Sequence, residues 1–384
     1  MRRWRVRLGF VAGLLAAAII LAVWGGRPDG APPARPTGPV LSDCGGAIRD
    51  LVIHYVPEAH DAVAPVYRDL LRHLPADVTV HVVCARQADL DALARAVAPV
   101  ACRLRPVLVS HRFTFWSRDR WLALAPVGGG PVSLLCPRGE EGAELWEDRA
   151  GDERIAGDIA SALAPDVVPV RSPLYFDGGD FDADERTAFV SPAVLRRNVQ
   201  RTVRTREELL HLLRAALQRD ILLLEPAPDH HVGMYMMPAG DGRVLVGDPA
   251  AAKHLLGESP TVAGAGHLPA LCPPLGPDFS PGTQDLFDAV ARQCAAAGYR
   301  VVRIPVVPGK DGRTYVTYVN VLMDHRASGR VVYMPTYRES GPLNQAAADV
   351  WRGLGYEVRT VDCTSVYVHF GALHCLANVL RRSS

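Results

Sequence analysis

Four short segments of the chain combine side chains whose types and spacing could support catalysis or binding. They are residues 115–121 (FWSRDRW), 175–180 (YFDGGD), 229–237 (DHHVGMYMM) and 369–380 (HFGALHCLANVL). Each segment also has a purely structural explanation: a salt bridge at a strand end, a tight turn, a core histidine and a buried cysteine. Any chemistry therefore has to be argued from the four segments together.

The last segment contains a candidate nucleophile, and the third contains a candidate proton donor. Gly371 precedes Cys375 at the predicted start of the last helix, and a helix N-terminus stabilises a thiolate. His230 and His231 follow an apolar strand predicted at residues 221–224. On a strand, adjacent side chains point to opposite faces, so only one of the two histidines is expected to face a given site.

The first two segments contain carboxylates without obvious metal partners. Asp119 stands among arginines and tryptophans, of which Trp116 and Arg118 are further candidates for ligand contact. Asp177 and Asp180 flank two glycines, which permit close approach of the backbone. A thiolate, a histidine and two or more carboxylates suit a planar cation with an electrophilic carbon, which describes a guanidinium group.

The composition excludes some classes of binding partner. With 42 Lys+Arg against 41 Asp+Glu, the 384-residue chain has a net charge of +1 and no basic run beyond its N-terminus. A nucleic-acid partner is therefore not expected. The eight cysteines form no CxxC pair, so we expect no zinc cage. Composition thus leaves a small molecule or a peptide as the partner.

The N-terminal sequence is typical of an export signal or a membrane anchor. Four arginines precede an uncharged apolar run at residues 8–24, and a Gly/Pro/Ala-rich stretch follows. This pattern predicts a signal anchor or signal peptide at 1–26, a linker at 27–44 and one catalytic domain at 45–384. Positive charge before the run places that domain outside the cytoplasm, with membrane contact through the N-terminal segment only.

Elements that could position the four segments recur along the domain. Apolar spacing predicts a helix at 63–74, with Pro65 in its first turn, and Thr205 with Glu208 forms a capping box ahead of another helix. Further helices are predicted at 283–297 and 343–354. Gly298-Tyr-Arg-Val resembles Gly355-Tyr-Glu-Val, each after a helix and before a strand. The recurrence predicts an α/β fold with internal pseudo-repeats.

Five motifs, in order over about 260 residues, carry a family resemblance. They are Trp116-Ser-Arg-Asp119 for W-x-R-D, Asp177-Gly-Gly for [E/D]-G-G, Asp229-His-His231-Val-Gly-Met for D-G-H-x-D-M, Tyr318-Val-Asn320 for Y-x-N before a strand ending at Pro335, and Gly371-Ala-Leu-His374-Cys375 for G-G-x-H-C. The chain thus resembles the guanidine-modifying pentein superfamily, most closely the agmatine deiminase and bacterial-type peptidylarginine deiminase family.

This resemblance implies a five-bladed α/β propeller that hydrolyses a guanidino group without a metal or other cofactor. The substrate would be agmatine or a peptidyl or modified arginine, and ammonia would leave. Cys375 would form a thiouronium adduct, and His231 would act first as acid and then as base. The implied substrate contacts are Asp119 and Asp177, followed by Trp116, Arg118, Asp180 and Asn320.

One departure from the family pattern bears directly on function. Gly233 stands where the family has a second acid, two residues after the histidine. Asp180 or Asp229 could supply the missing charge, or the space could admit a substituted guanidine. The alternative function is a non-catalytic protein that binds arginine-like ligands in the same pocket. An amidinotransferase is a further, lesser alternative.

Overall fold

The computed structural model describes residues 38–140, 147–258 and 271–383. Its strands are β1 (Ala47–His54), β2 (Thr79–Cys84), β3 (Arg103–Leu108), β4 (Leu122–Leu124), β5 (Val132–Cys136), β6 (Val167–Arg171), β7 (Phe181–Ala183), β8 (Thr187–Val190), β9 (Asp220–Leu223), β10 (Met236–Pro238), β11 (Arg243–Asp248), β12 (Arg300–Pro305), β13 (Val307–Pro308), β14 (Tyr315–Val316), β15 (Leu322–Arg326), β16 (Gly329–Thr336), β17 (Tyr356–Asp362) and β18 (Ala377–Ser383). Its helices are α1 (His60–Leu71), α2 (Gln87–Val97), α3 (Glu147–Ala162), α4 (Pro192–Asn198), α5 (Arg206–Leu217), α6 (Pro249–Glu258), α7 (Pro281–Ala296), α8 (Gly341–Gly353) and α9 (Leu373–Leu376).

Within these ranges, most strands belong to five sheets that share one topology. In each sheet an antiparallel pair is followed by one or two helices and then by a strand parallel to the second member of the pair. In spatial order, modules 1 to 5 are β18-β1-β2-β3, β4-β5-β6, β7-β8-β9, β10-β11-β12 and β15-β16-β17. The α/β fold with internal repeats that the sequence predicts is therefore confirmed.

The repeated turns fall at equivalent places in modules 4 and 5. Gly298 follows α7 with a φ of +86°, and Gly355 follows α8 with a φ of +88°. Each leads into the strand that completes its module as the parallel partner. Both positions need glycine because a Cβ disfavours this left-handed backbone conformation.

The predicted helices form with small differences at their ends. Thr205 Oγ1 accepts a hydrogen bond from the Glu208 backbone N–H at 3.2 Å, which caps α5. Only this half of the predicted capping box forms, because the Glu208 carboxylate accepts the Arg204 backbone N–H at 2.8 Å instead of that of Thr205. The helices predicted at 283–297 and 343–354 correspond to α7 and α8. The placement of Pro65 is wrong: a 3-10 turn at Pro57–Ala59 runs into α1, so the helix begins at His60 and the proline lies in its second turn.

The end of the chain closes module 1. Strand β18 pairs antiparallel with β1, so the first and last described strands are neighbours. Large apolar side chains fill the space between helices and sheets; in module 5, for example, the fully buried Trp351 of α8 donates its indole N–H to the Tyr318 carbonyl at 3.0 Å. The segments that connect successive modules are thereby held in fixed positions.

The N-terminal end of the described chain packs against the fold. Val40 is buried, donates its backbone N–H to Leu217 O at 2.8 Å and bridges Leu124. Residues 38–44 of the predicted linker thus take part in the folded body. Within the described ranges, no helix combines the length and apolar character needed to cross a bilayer. The anchor predicted at residues 1–26 lies outside those ranges.

Candidate active site

One cavity of about 500 Å³ is lined by most of the predicted site residues, which come from the connections between modules. Trp116 and Asp119 come from the β3–β4 connection, Asp177 and Asp180 from β6–β7, His231 from β9–β10, and Cys375 from β17–β18. The remaining connection, from β12 to β15, contributes Arg313 to the lining. Side chains as far apart in sequence as Trp116 and Cys375 thus meet because each occupies the same place in its repeat.

The candidate nucleophile is held by a buried asparagine. Asn320 Oδ1 accepts hydrogen bonds from the backbone N–H groups of His374 (2.8 Å) and Cys375 (3.4 Å), and its Nδ2 lies 3.5 Å from Cys375 Sγ. Asn320 is buried and is not among the described residues that line the cavity. It therefore positions the thiol, whereas the sequence predicts a substrate contact.

The helix that carries Cys375 is shorter than expected. Helix α9 is a single turn and continues directly into β18. A single turn aligns few peptide dipoles, so the helix contributes little to stabilising a thiolate. The neighbouring imidazole is the stronger candidate for that role.

His231 is the titratable partner of Cys375. Burial disfavours the charged ring, but Asp177 and Cys375 raise the pKa of His231 well above its ordinary value of 6.5. The His231 Nε2 to Asp177 Oδ2 distance is 3.9 Å, which makes this an ion pair and not a hydrogen bond. A protonated imidazole beside a thiol is suited to stabilise a thiolate and to donate a proton.

Both adjacent histidines line the cavity, so the expectation that only one would face it is wrong. The segment is not a strand at this point, because His231 leads into the 3-10 turn Val232–Met234. His230 Nδ1 accepts the His231 backbone N–H at 2.7 Å, which leaves Nε2–H to donate to the Arg313 carbonyl at 3.0 Å. Burial and the neighbouring His231 lower the pKa of His230 to about 3, so it remains neutral.

The two predicted guanidinium-binding carboxylates already hold a guanidinium from the chain itself. Arg149 of α3 donates from Nη1 to Asp119 Oδ2 at 2.7 Å and from Nη2 to Asp177 Oδ1 at 2.5 Å. The Arg149 side chain is only 14% exposed. Burial alone would raise the pKa of Asp177, but Arg149 and His231 hold it well below its ordinary range. Asp177 is thus ionised, and the two carboxylates are correctly spaced for a guanidinium.

The Asp177-Gly-Gly-Asp180 segment brings the backbone close to His231. Asp180 Oδ2 accepts the Asp177 backbone N–H at 2.8 Å and pairs with Arg197 at 3.0 Å, which fixes a 3-10 turn at Gly178–Asp180. A Cβ added at Gly179 would lie 2.3 Å from His231 Nδ1. Glycine is needed here because the imidazole occupies the space of a side chain.

Aromatic side chains form part of the cavity wall. Trp116 packs against Gly371, where an added Cβ would lie 2.6 Å from the indole ring. Phe370 adopts a φ of +74° and is 40% exposed, with the Arg313 guanidinium 4.5 Å from its ring centroid. The tryptophan is where the sequence predicts it, beside the carboxylates.

Arg118 is the predicted contact that the structure places elsewhere. It is buried and absent from the described lining of the cavity. Its guanidinium donates to Asn378 Oδ1 (3.2 Å) and Phe181 O (2.8 Å) and lies 3.4 Å from carboxylate oxygens of both Asp43 and Asp182. Its role is to hold β18 and β7 together.

A buried charge cluster surrounds Arg118. Asp43, Asp182 and His374 place possible metal-ligand atoms within 4.8 Å of one another. The Arg118 cation already contacts both carboxylates, so the cluster carries its own compensating charge. Burial and Arg118 lower the pKa of His374, which favours the neutral ring.

The sequence misses Arg149 and Arg197 as parts of the site. Arg149 lies in a polar helix without a motif, and Arg197 lies in α4, outside the four segments singled out in the sequence. The signal available in the sequence was the need for balancing charge, because buried carboxylates require partners.

No protein-family model and no curated protein matches this chain. Solved structures do match over nearly its whole length. By its fold, the chain is a mixed α/β protein built from repeated modules, with a cavity lined by the connections between them.

More particularly, the fold is that of agmatine deiminases. A Campylobacter jejuni agmatine deiminase matches with a TM-score of 0.63 at 11% identity, covering 88% of this chain and 94% of the other. A variant of that enzyme with substrate bound gives 0.64 at 12%, covering 88% and 95%. An Enterococcus faecalis agmatine deiminase gives 0.61 at 14%, covering 90% and 98%. The resemblance predicted from the five motifs is confirmed at the level of the fold.

Proposed function

We propose that this protein hydrolyses the guanidino group of an arginine-derived compound through a covalent intermediate on Cys375. The observation that carries the proposal is the Arg149 guanidinium bound between Asp119 and Asp177, in the cavity that also contains His231 and Cys375. It supports the idea that these carboxylates select a guanidinium and hold it near a thiol and a proton donor. The solved agmatine deiminases of the same fold support the same reaction class.

The reaction balances with these groups and water. The Cys375 thiolate attacks the guanidinium carbon and forms a C–S bond, while Asp119 and Asp177 bind the N–H edges. The C–N bond to the leaving nitrogen breaks as His231 donates a proton, and ammonia departs. His231 then accepts a proton from water, which attacks the thiouronium carbon; the C–S bond breaks, and a ureido product leaves. No oxidant, reductant or metal takes part in these steps.

The most direct test is turnover with assignment of the nucleophile. The full chain is incubated with agmatine, arginine, methylarginines and arginyl peptides, and ammonia and ureido groups are measured. We expect turnover of at least one compound, abolished in Cys375→Ala. Cys136→Ala is the matched control, because it removes a buried thiol of β5 outside the cavity and should leave turnover intact. Turnover that survives Cys375→Ala would refute the mechanism.

A non-catalytic guanidinium-binding protein is the second candidate. One observation favours it: Gly233 stands where the family pattern has an acid. This function predicts saturable binding of arginine derivatives without ammonia release from any of them. Calorimetry beside the turnover assay separates the two candidates.

We also propose that the protein acts outside the cytoplasm, held there or exported by residues 1–26. The support is the arginine-rich start followed by the apolar run at residues 8–24. Fusion of alkaline phosphatase after residue 44 tests this, since the reporter is active only when exported. An inactive fusion would contradict the proposed location and leave the proposed reaction untouched.

A further inference from the structure

Gly233 leaves a space that another acidic side chain faces. An added Cβ at Gly233 would lie 3.2 Å from Asn320 Nδ2, 3.2 Å from Asp182 Oδ2 and 3.4 Å from His374 Nδ1. These are tight contacts, yet none is with backbone. A carboxyl oxygen of Asp182 thus already stands against the position from which a side chain at residue 233 would extend.

The carboxyl group of Asp182 is only half used by the fold. Asp182 lies on β7 and is 1% exposed. Its Oδ1 lies 3.4 Å from Arg118 Nη2 and 3.5 Å from His374 Nδ1. Its Oδ2 is buried and has no hydrogen-bond partner among the described residues. A buried acceptor without a partner costs free energy, so we expect this oxygen to accept a hydrogen bond from a ligand.

Asp182 also lies within electrostatic reach of the reacting pair. Burial and the neighbouring Asp43 raise the pKa of Asp182 well above its ordinary value; Cys375 raises it further and His231 lowers it. Asn320 connects the same place to the thiol, because its Nδ2 contacts both Gly233 O (3.1 Å) and Cys375 Sγ (3.5 Å). The free oxygen therefore faces Gly233, whose carbonyl shares Asn320 with the thiol. Asp182 is not among the described residues that line the cavity, so a ligand group would reach it only by entering the space beside Gly233.

We propose that Asp182 supplies, from β7, the carboxyl group that the chain lacks at position 233, and that its Oδ2 binds a guanidinium N–H beside Cys375. This inference rests on the proposed function and makes Asp182 a substrate-binding residue. The other two candidates line the cavity, but their carboxylates already have partners. The Asp229 side chain is 78% exposed and pairs with Arg196, and Asp180 pairs with Arg197 and caps its own turn.

The test compares a cationic and a neutral alkylating reagent on Cys375. The thiolate displaces chloride from 2-chloroacetamidine or iodide from iodoacetamide, and only the amidinium resembles a guanidinium. In Asp182→Asn, we expect the chloroacetamidine rate to fall roughly 10-fold to 100-fold while the iodoacetamide rate changes less than about threefold, because one charge-assisted contact is lost. A folded Asp182→Asn protein that keeps the wild-type ratio of the two rates overturns the proposal.

A second set of variants tests the proposal even if Asp182→Asn does not fold. Gly233→Ala adds the Cβ without charge and serves as the steric control for Gly233→Asp. If Asp182 fills the role, Gly233→Asp places two carboxyl groups in contact and reacts with chloroacetamidine at least roughly 10-fold more slowly than Gly233→Ala. The Asp182→Asn/Gly233→Asp double variant should regain most of that loss. If Gly233→Asp reacts faster than Gly233→Ala with Asp182 in place, the proposal is wrong.

These outcomes are separable from failure of the proposed function. Alkylation needs a bound amidinium and a reactive thiol but no hydrolysis. A wild-type protein that is labelled selectively by chloroacetamidine and hydrolyses nothing would refute the proposed reaction, and the Asp182 comparison would still be decisive. Where turnover exists, a parallel fall in kcat/KM for Asp182→Asn is expected.

Discussion

Arg149 should compete with any guanidinium ligand, and its removal should tighten binding. Its side chain makes two charge-assisted hydrogen bonds, at 2.7 Å to Asp119 and at 2.5 Å to Asp177. Each such bond is worth about 1.5 to 3 kcal/mol net, and fixing an arginine side chain costs about 2 kcal/mol of rotamer entropy. The difference is roughly 1 to 4 kcal/mol in favour of the state in which Arg149 is bound between Asp119 and Asp177. That state is therefore favoured over the open one by about fivefold to several hundredfold.

Arg149→Met keeps the length of the side chain and removes its donors. We expect the dissociation constant for agmatine or an arginine ester to fall roughly 10-fold to 100-fold, because the ligand no longer displaces an internal guanidinium. Isothermal titration calorimetry measures this directly. Arg352→Met is the matched control, since Arg352 pairs with Asp349 on the exposed surface of α8 and should leave affinity unchanged.

We expect Arg149→Met to lower the stability of the fold while it raises ligand affinity. The substitution removes the ion pair of Asp119, whereas Asp177 keeps its pairs with Arg120 and Arg197. We expect unfolding to become easier by about 1 to 3 kcal/mol, and ligand should restore part of it. Unchanged or weaker affinity in a folded Arg149→Met protein would refute the reasoning, since Arg149 would then not occupy the ligand position.

Three further predictions concern the groups around the thiol. The raised pKa of His231 means that its charged form stabilises the fold fully below about pH 6.5 and that this stabilisation disappears as pH rises through the higher folded value. The difference in urea midpoint between wild type and His231→Asn should therefore shrink from pH 6 to pH 10; a constant difference would contradict it. Asn320→Ala should slow alkylation of Cys375 by roughly 10-fold or more, because two backbone N–H groups and the thiol lose their partner, and an unaltered iodoacetamide rate would show that Asn320 does not position the thiol. Gly179→Ala should abolish turnover because its Cβ displaces His231. Gly157→Ala in α3, whose Cβ meets nothing within 4 Å, should leave turnover unchanged. Normal turnover by Gly179→Ala would show that the histidine can move without loss of activity.

The motifs predict the site residues that lie in the module connections because their chemistry is encoded locally. Cys375, His231, Asp119 and Asp177 each stand in a short segment with a recognisable neighbour pattern, and the repeated topology brings them to one cavity. The order of helix, turn and strand is also local, which is why the turns at Gly298 and the helix after Thr205 are where the sequence predicts them.

The pairing of charges between modules could not be predicted from the sequence. Arg118 reads as a ligand contact because it adjoins Asp119, yet the backbone turns its side chain to Asp182 and Asn378. Arg149 has no motif at all, and its position depends on how α3 packs in module 2. The prediction that only one of the adjacent histidines faces the site is wrong because a 3-10 turn, unlike a strand, lets both line one cavity.

The balance of charge in the cavity bears on how a ligand would be chosen. Asp119 and Asp177 are satisfied by arginines in the free protein, so a guanidinium ligand gains mainly by exchanging with Arg149 and little from unpaired carboxylates. Such exchange should discriminate against simple ammonium ions, which cannot reproduce the planar two-edged contact. The buried Oδ2 of Asp182 differs, because nothing in the described fold satisfies it. An oxygen in that state costs free energy in the free protein and gains a hydrogen bond only when a donor arrives, which favours a ligand-binding role for Asp182.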